Sequence, residues 1–169
     1  MNTQHNPSTM AAPLGPFCHA SEVPGGSRLL YISGQVGMLP DGTIPEGVEA
    51  QAEATWQNIQ GCLTDAGMSI ADLVKITTFV VRAEDLRDVG KVRAKYLGDA
   101  RPTSTTVVVS AFVVPSLWVE IEAVAREWDH PIAVVAVTKG FDERAIVAAH
   151  AAGLGVIGEN YAQELLSKR

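Results

Sequence analysis

With 169 residues, the chain suits one domain of ordinary size with room for an appendage. Its 47% hydrophobic and 19% charged content describes a globular protein and excludes a disordered one. A net charge of −6 and a pI near 5.1 argue against a nucleic-acid partner, and no polybasic or cationic amphipathic stretch suggests a membrane surface.

The opening residues MNTQHNPSTMAAPLG carry no positive n-region and no apolar core, so no signal peptide is expected. The run IAVVAV is too short to span a bilayer. Cys18 and Cys62 lie far apart without CxxC spacing, which reads most simply as a reduced, cytoplasmic protein. His5, His19, His130 and His150 show no metal-ligand spacing, and no structural zinc is expected.

Residues 1–12 read as a flexible polar arm able to pack as an edge strand. Arg28 to Gly34 is a strand candidate after a Pro-Gly-Gly turn, and Gly34 would allow close backbone approach. Val48 to Ala66 reads as a helix with Val48, Ala52, Ile59 and Leu63 in one apolar stripe, stopped by Gly67. Leu73 to Val81 alternates as a strand. Ala83 to Leu97 repeats Leu86, Val89, Val92 and Tyr96 at helical spacing, and Gly98 breaks it. Trp56, Trp118 and Trp128 read as packing or subunit contacts, and Cys62 as a small buried hydrophobe.

The run PTSTTVVVSAFVVPSLWVEIEAVA then reads as two strands, Thr103 to Phe112 and Leu117 to Ala125, joined as a hairpin by the turn around Pro115. In the second, Leu117, Val119, Ile121 and Ala123 point one way. Trp118, Glu120, Glu122 and Val124 point the other, so two carboxylates share a face about 6.5–7 Å apart. Strand, helix, strand, helix, strand, strand is an α+β order with two helices on one face. The sheet's second face is left for another subunit to cover.

Several of these pieces together, GPFCHA, LYISGQVG, QNIQGCLTDAGMSIADLVKITTFV, VRAKYLGDARPTST and VEIEAVA, resemble the Rid (YjgF, reactive intermediate deaminase) family over residues 13–127. The resemblance implies a chorismate-mutase-like α+β fold, a homotrimer with ligand clefts between subunits, no cofactor, and hydrolysis of reactive imines and enamines to 2-oxo acids and ammonia. It also implies that Glu120 positions the attacking water and that Gly34 belongs to the SGQ motif. Phe17 stands where the family carries a tyrosine, keeping the ring without the hydroxyl. Ser104 stands two residues after Pro102, where the family's arginine clamps the substrate carboxylate. Arg93 occupies a helix position that is often asparagine.

A charge-assisted carboxylate clamp contributes on the order of 1.5–3 kcal/mol, and one neutral serine hydrogen bond does not replace it. Arg93 or Arg101 could supply a cation from another direction, although both residue types are more often solvated surface charges. Glu122 reads as structural or paired with a cation. Cys18 could line the cleft, and His19 could flank it. Two functions follow. In one, Glu120 drives imine hydrolysis while backbone amides near Gly34 and Thr106 orient the ligand. In the other, the same scaffold binds a small imine or carboxylate ligand, or a partner, without catalysis. Ser104 favours the second more than family membership alone does.

After Trp128 the pattern becomes strand, helix, strand, helix: Ile132 to Val137, Asp142 to Ala152, Leu154 to Ile157 and the final residues. This 128–169 segment is similar to the start of the YggS-type pyridoxal-phosphate homeostasis proteins, through Ala136-Val137-Thr138-Lys139 and the later GENYAQE motif. The resemblance implies Lys139 as the Schiff-base lysine and Asn160 as a second cofactor contact. That family's barrel needs more than ~200 residues, and only about 40 are here. A lysine outside a desolvating pocket keeps a pKa near ~10.4 and is a poor nucleophile. The segment reads as a truncated βαβ fragment in which pyridoxal phosphate is not expected to bind, and a pyridoxal-phosphate carrier acting through Lys139 stands as a third reading behind the two above.

Overall fold

Apolar alternation and helical periodicity sort most of the chain into one sheet with two helices packed on one side. The computed structural model describes residues 2–127, 135–137, 144, 147–148, 151 and 156–158. It divides into two units, Met1–Asp129 and His130–Arg169. In the first, β1 (Thr3–His5) and β2 (Ala20–Glu22) form an antiparallel ribbon, so part of the N-terminal arm is paired strand. Then come β3 (Arg28–Val36), α1 (Val48–Asp65), β4 (Leu73–Val80), α2 (Leu86–Leu97), β5 (Thr103–Val108) and β6 (Val119–Glu127). The four longer strands form a mixed sheet in the order β3-β6-β4-β5, an α+β arrangement.

Two expectations are corrected. The strand after Pro102 ends at Val108, and it does not form a hairpin with β6. It pairs in parallel with β4, while β6 pairs antiparallel with both β3 and β4. The reason is the segment between β4 and β5. A helical crossover returns the chain in the same direction, so its flanking strands are parallel neighbours. β6 carries the most apolar face, with Val119, Ile121, Ala123 and Ala125 all buried, and it takes the centre. The second correction concerns α2, which begins at Leu86 after a 3-10 turn over Ala83–Asp85. Leu86 is 39% exposed and lies outside the apolar stripe.

The core lies between the helices and one sheet face. α1 buries Ala52, Trp56, Ile59 and Leu63, and α2 buries Val89, Val92 and Leu97. They meet Ile76, Val80, Val119 and Ile121 of the sheet. Trp56 stacks on Tyr96 with ring centroids 5.7 Å apart. Buried Gln51 ties α1 to the loop before β6: its Nε2 donates to the Ser116 carbonyl at 2.9 Å, and its Oε1 accepts from the Trp118 amide at 2.8 Å. Gly67, at φ +74°, ends α1 where a side chain would be strained.

Among the described residues, the opposite sheet face carries exposed side chains, Tyr31 at 73% and Leu29 at 43%. In the second unit, β7 (Val135–Val137) and β8 (Val156–Gly158) pair in parallel, and Arg144, Val147, Ala148 and Ala151 between them are helical. Lys139, Asn160 and Trp128 lie outside the described residues.

Candidate active site

Glu120 stands on the open face of the central strand, between buried Val119 and Ile121. Opposite it, β3 carries a bulge: Ile32 pairs with Ala123 and Gln35 with Ile121, so Ser33 and Gly34 together oppose the single Glu122. A bulge bends its strand and re-aims its side chains. Here it brings the backbone of residue 34 against the Glu120 side chain, and a Cβ on Gly34 would collide with the Glu120 carboxylate. The SGQ glycine and the strand glutamate thus form one local unit.

Ser104 and Thr106 lie elsewhere. Ser104 pairs with Ile76 and Thr106 with Thr78, both buried residues of the helix-facing side. Both hydroxyl-bearing side chains therefore project to the face opposite Glu120, on the outermost strand. Glu120 pairs with Phe79, and Phe79 with Val107, so it is also two strands, about 9–10 Å, from β5. One copy of the chain does not bring Glu120 and Ser104 to the same small molecule.

On the Ser104 side the charge comes from α2. Arg93 Nη1 donates to Ser104 Oγ at 3.1 Å, and Nη2 donates to the Pro16 carbonyl at 3.3 Å, next to Phe17. The Phe17 ring meets His19 edge-on with centroids 6.1 Å apart, and His19 in turn is held by the Ala11 carbonyl. Burial pushes the Arg93 guanidinium below the usual arginine range. Arg101, the other candidate cation, donates instead to the carbonyls of Gly98 and Ala100 at the end of α2. Cys18 is buried, and that burial pushes its thiol upward, which suits packing rather than nucleophilic chemistry.

A second polar group occupies the open face. Tyr31, Ser33, Lys75, Thr77 and Glu122 line a concavity of about 300 Å³. Lys75 Nζ donates to Thr105 Oγ1 at 2.6 Å. Burial lowers its pKa, and the neighbouring Glu122 charge partly opposes the shift. Lys75 itself was not singled out by the sequence, whose strand alternation gives its side but not its neighbours. Among the described residues, no group of three or more His, Cys, Asp or Glu could hold a metal ion. No described helix is long and apolar enough to cross a membrane.

Residues 8–127 match the family model described as Endoribonuclease L-PSP, which takes in the Rid (YjgF) proteins. The chain belongs to the Rid family. It is 30% identical over 115 residues to a RutC family protein of Pyrococcus abyssi, covering 67% of this chain and 87% of that protein. Over 122 residues it is 30% identical to Escherichia coli TdcF, provisionally named a reactive intermediate deaminase, with 69% and 92% covered. Among solved structures, the Rid protein YyfB of Yersinia pestis superposes with a TM-score of 0.67 at 32% identity, covering 73% of this chain and 97% of YyfB. Escherichia coli TdcF with bound serine superposes at 0.57 and 28% identity, with 69% and 91% covered. The Rid match stops at residue 127, before the second unit begins.

Proposed function

We propose that the Rid unit binds small, carboxylate-bearing imines and enamines in clefts between the copies of a homotrimer, and hydrolyses them to 2-oxo acids and ammonia. The observation that carries this reading is the split arrangement: Glu120 with Gly34 on one sheet face, Ser104 and Thr106 on the other. Each half lacks what the other holds, and a second copy supplies it. The open sheet face, with Tyr31 and Leu29 exposed, gives the copies a surface to meet on. The name of TdcF and its bound serine, a small zwitterion, point to the same ligand class. The family description speaks of a ribonuclease, but a chain of net charge −6 is poorly suited to a polyanion.

In this mechanism the Glu120 carboxylate takes a proton from a water as its oxygen bonds to the imine carbon. Glu120 passes that proton to the imine nitrogen, giving a neutral carbinolamine. Glu120 then takes the carbinolamine hydroxyl proton and delivers it to the same nitrogen, the C–N bond breaks as the C=O forms, and ammonia leaves the 2-oxo acid. An enamine enters the sequence after tautomerising to the imine. Amides near Gly34 and Thr106 orient the ligand. The free thiols Cys18 and Cys62 suit a reducing compartment, which favours the cytoplasm.

A dehydratase reaction that releases 2-iminobutanoate, followed by trapping of the remaining imine, tests the proposal. The protein is expected to accelerate imine loss, and Glu120→Gln to abolish the acceleration. No acceleration by the unmodified protein, whatever the side-chain size of the imine, would leave the second reading, a non-catalytic binder. The observation behind that alternative is Ser104 in place of the family's arginine.

A further inference from the structure

We propose that Arg93, reaching from α2 to the edge of β5, is the anion anchor of the cleft and takes the carboxylate of the ligand together with Ser104. The inference rests on the carboxylate-bearing ligand proposed above, but not on catalysis.

Arg93 is a cation partly withdrawn from water whose hydrogen-bond partners among the described residues are neutral. Its two hydrogen bonds go to a hydroxyl and a backbone carbonyl. No carboxylate lies within ion-pairing distance of it among the described residues, whereas Arg82 and Arg28 pair with Asp85 and Glu127. Its Nε–H is buried with no acceptor among those residues. A desolvated guanidinium without a counter-charge is costly, because water no longer solvates it and nothing replaces the water. Such a group is a seat for an anion.

The geometry also suits a carboxylate in particular. Arg93 has two terminal nitrogens, and each uses one N–H on Ser104 or Pro16, leaving a second N–H on each. A guanidinium presents N–H groups in a planar fork that suits the two oxygens of a carboxylate. Ser104 Oγ accepts from Arg93, so its own proton is free to be donated to the same ligand. Thr106, two residues along the same face, offers a further hydroxyl. The serine that lacks the charge therefore becomes the acceptor that aims it. The bond to the Pro16 carbonyl also ties the Phe17 segment to this edge, so ligand binding and the placement of that ring are linked.

Calorimetric titration of the full chain with two probes, 2-oxobutanoate and its uncharged amide, separates an anchor from a structural tie. The acid is expected to bind more tightly than the amide. Arg93→Met is expected to weaken the acid by about tenfold to hundredfold and to leave the amide within about twofold, with Arg93→Lys restoring part of the loss. Equal weakening of acid and amide, or no binding of the acid by the unmodified protein, would overturn the anchor. A Tm lowered in Arg93→Met but not in Arg93→Lys shifts the decision to the lysine variant, whose acid-to-amide ratio must still fall. The same titration on Glu120→Gln keeps the two proposals apart. Retained acid binding with no turnover in any variant removes hydrolysis and leaves the anchor standing. Turnover by the unmodified protein, with a KM that Arg93→Met does not raise, removes the anchor and leaves hydrolysis.

Discussion

A methyl group at position 34 would overlap the Glu120 carboxylate, so an alanine there leaves the backbone path intact and turns the glutamate aside. The displaced group is the far end of a flexible side chain, and the fold loses little. Gly34→Ala is expected to lower imine hydrolysis by about tenfold to hundredfold while Tm stays within a few degrees, since misplacing a reacting group by ~1 Å has that effect on rate. Gly37 behaves in the opposite way. A Cβ there would stand 2.6 Å from the Gln51 Cα and Cβ and 2.7 Å from its carbonyl oxygen, and helix backbone cannot swing clear. Gly37→Ala is expected to destabilise the unit by about 1–3 kcal/mol, read from the urea midpoint, through overpacking. The side of the sheet on which Glu120 stands was legible in -VEIEAVA-, because strand alternation is a local property. The contact between Arg93 and Ser104 was not. It joins a helix to a strand through their packing, and the sequence named Arg93, with Arg101 as another possible cation, without its partner.

At the scale of elements, the helices are tied to each other as well as to the sheet. Lys95 Nζ and Tyr96 OH of α2 each donate at 2.7 Å to one oxygen of Glu53 on α1. The hydrogen bond from Lys95, then that from Tyr96, holds the Glu53 carboxyl below the usual glutamate range. Between that lowered value and the ordinary ~4.3, the unfolded chain binds more protons than the folded one, so stability rises with pH there. The contribution is complete above the ordinary value and is lost as the pH falls through the lowered one. Glu53→Gln is therefore expected to flatten the dependence of the urea midpoint on pH below the ordinary glutamate value, modestly, because the pair is solvent-screened. The helices and their buried faces were readable from spacing, apart from the exposed Leu86 at the start of α2. Strand partners were not. Adjacency in sequence suggested a hairpin between β5 and β6, but partner choice depends on which strand has two apolar neighbours to offer.

For the whole molecule, the exposed sheet face is the surface on which the proposed trimer would close. Tyr31 projects from it beside the Lys75 and Glu122 concavity. Tyr31→Arg is expected to convert a trimer, measured by light scattering, to a monomer that stays folded and loses imine hydrolysis. A monomer in the unmodified protein would remove the intersubunit cleft. The chain divides after Asp129, and within the second unit β7 and β8 pair in parallel.

The place of β6 in the sheet also bears on how the protein is made. It is the final strand of the Rid unit to leave the ribosome, yet it belongs between β3 and β4. The residues it must find are distant: Arg28 and Glu127, which bond side chain to side chain, are 99 positions apart. Until Glu127 emerges, β3 and β4 wait with unpaired backbone edges, the state most prone to wrong pairing with other nascent chains. Synthesis therefore yields no half-native intermediate with a finished sheet. A polypeptide halted before Val119 lacks the strand that joins β3 to β4.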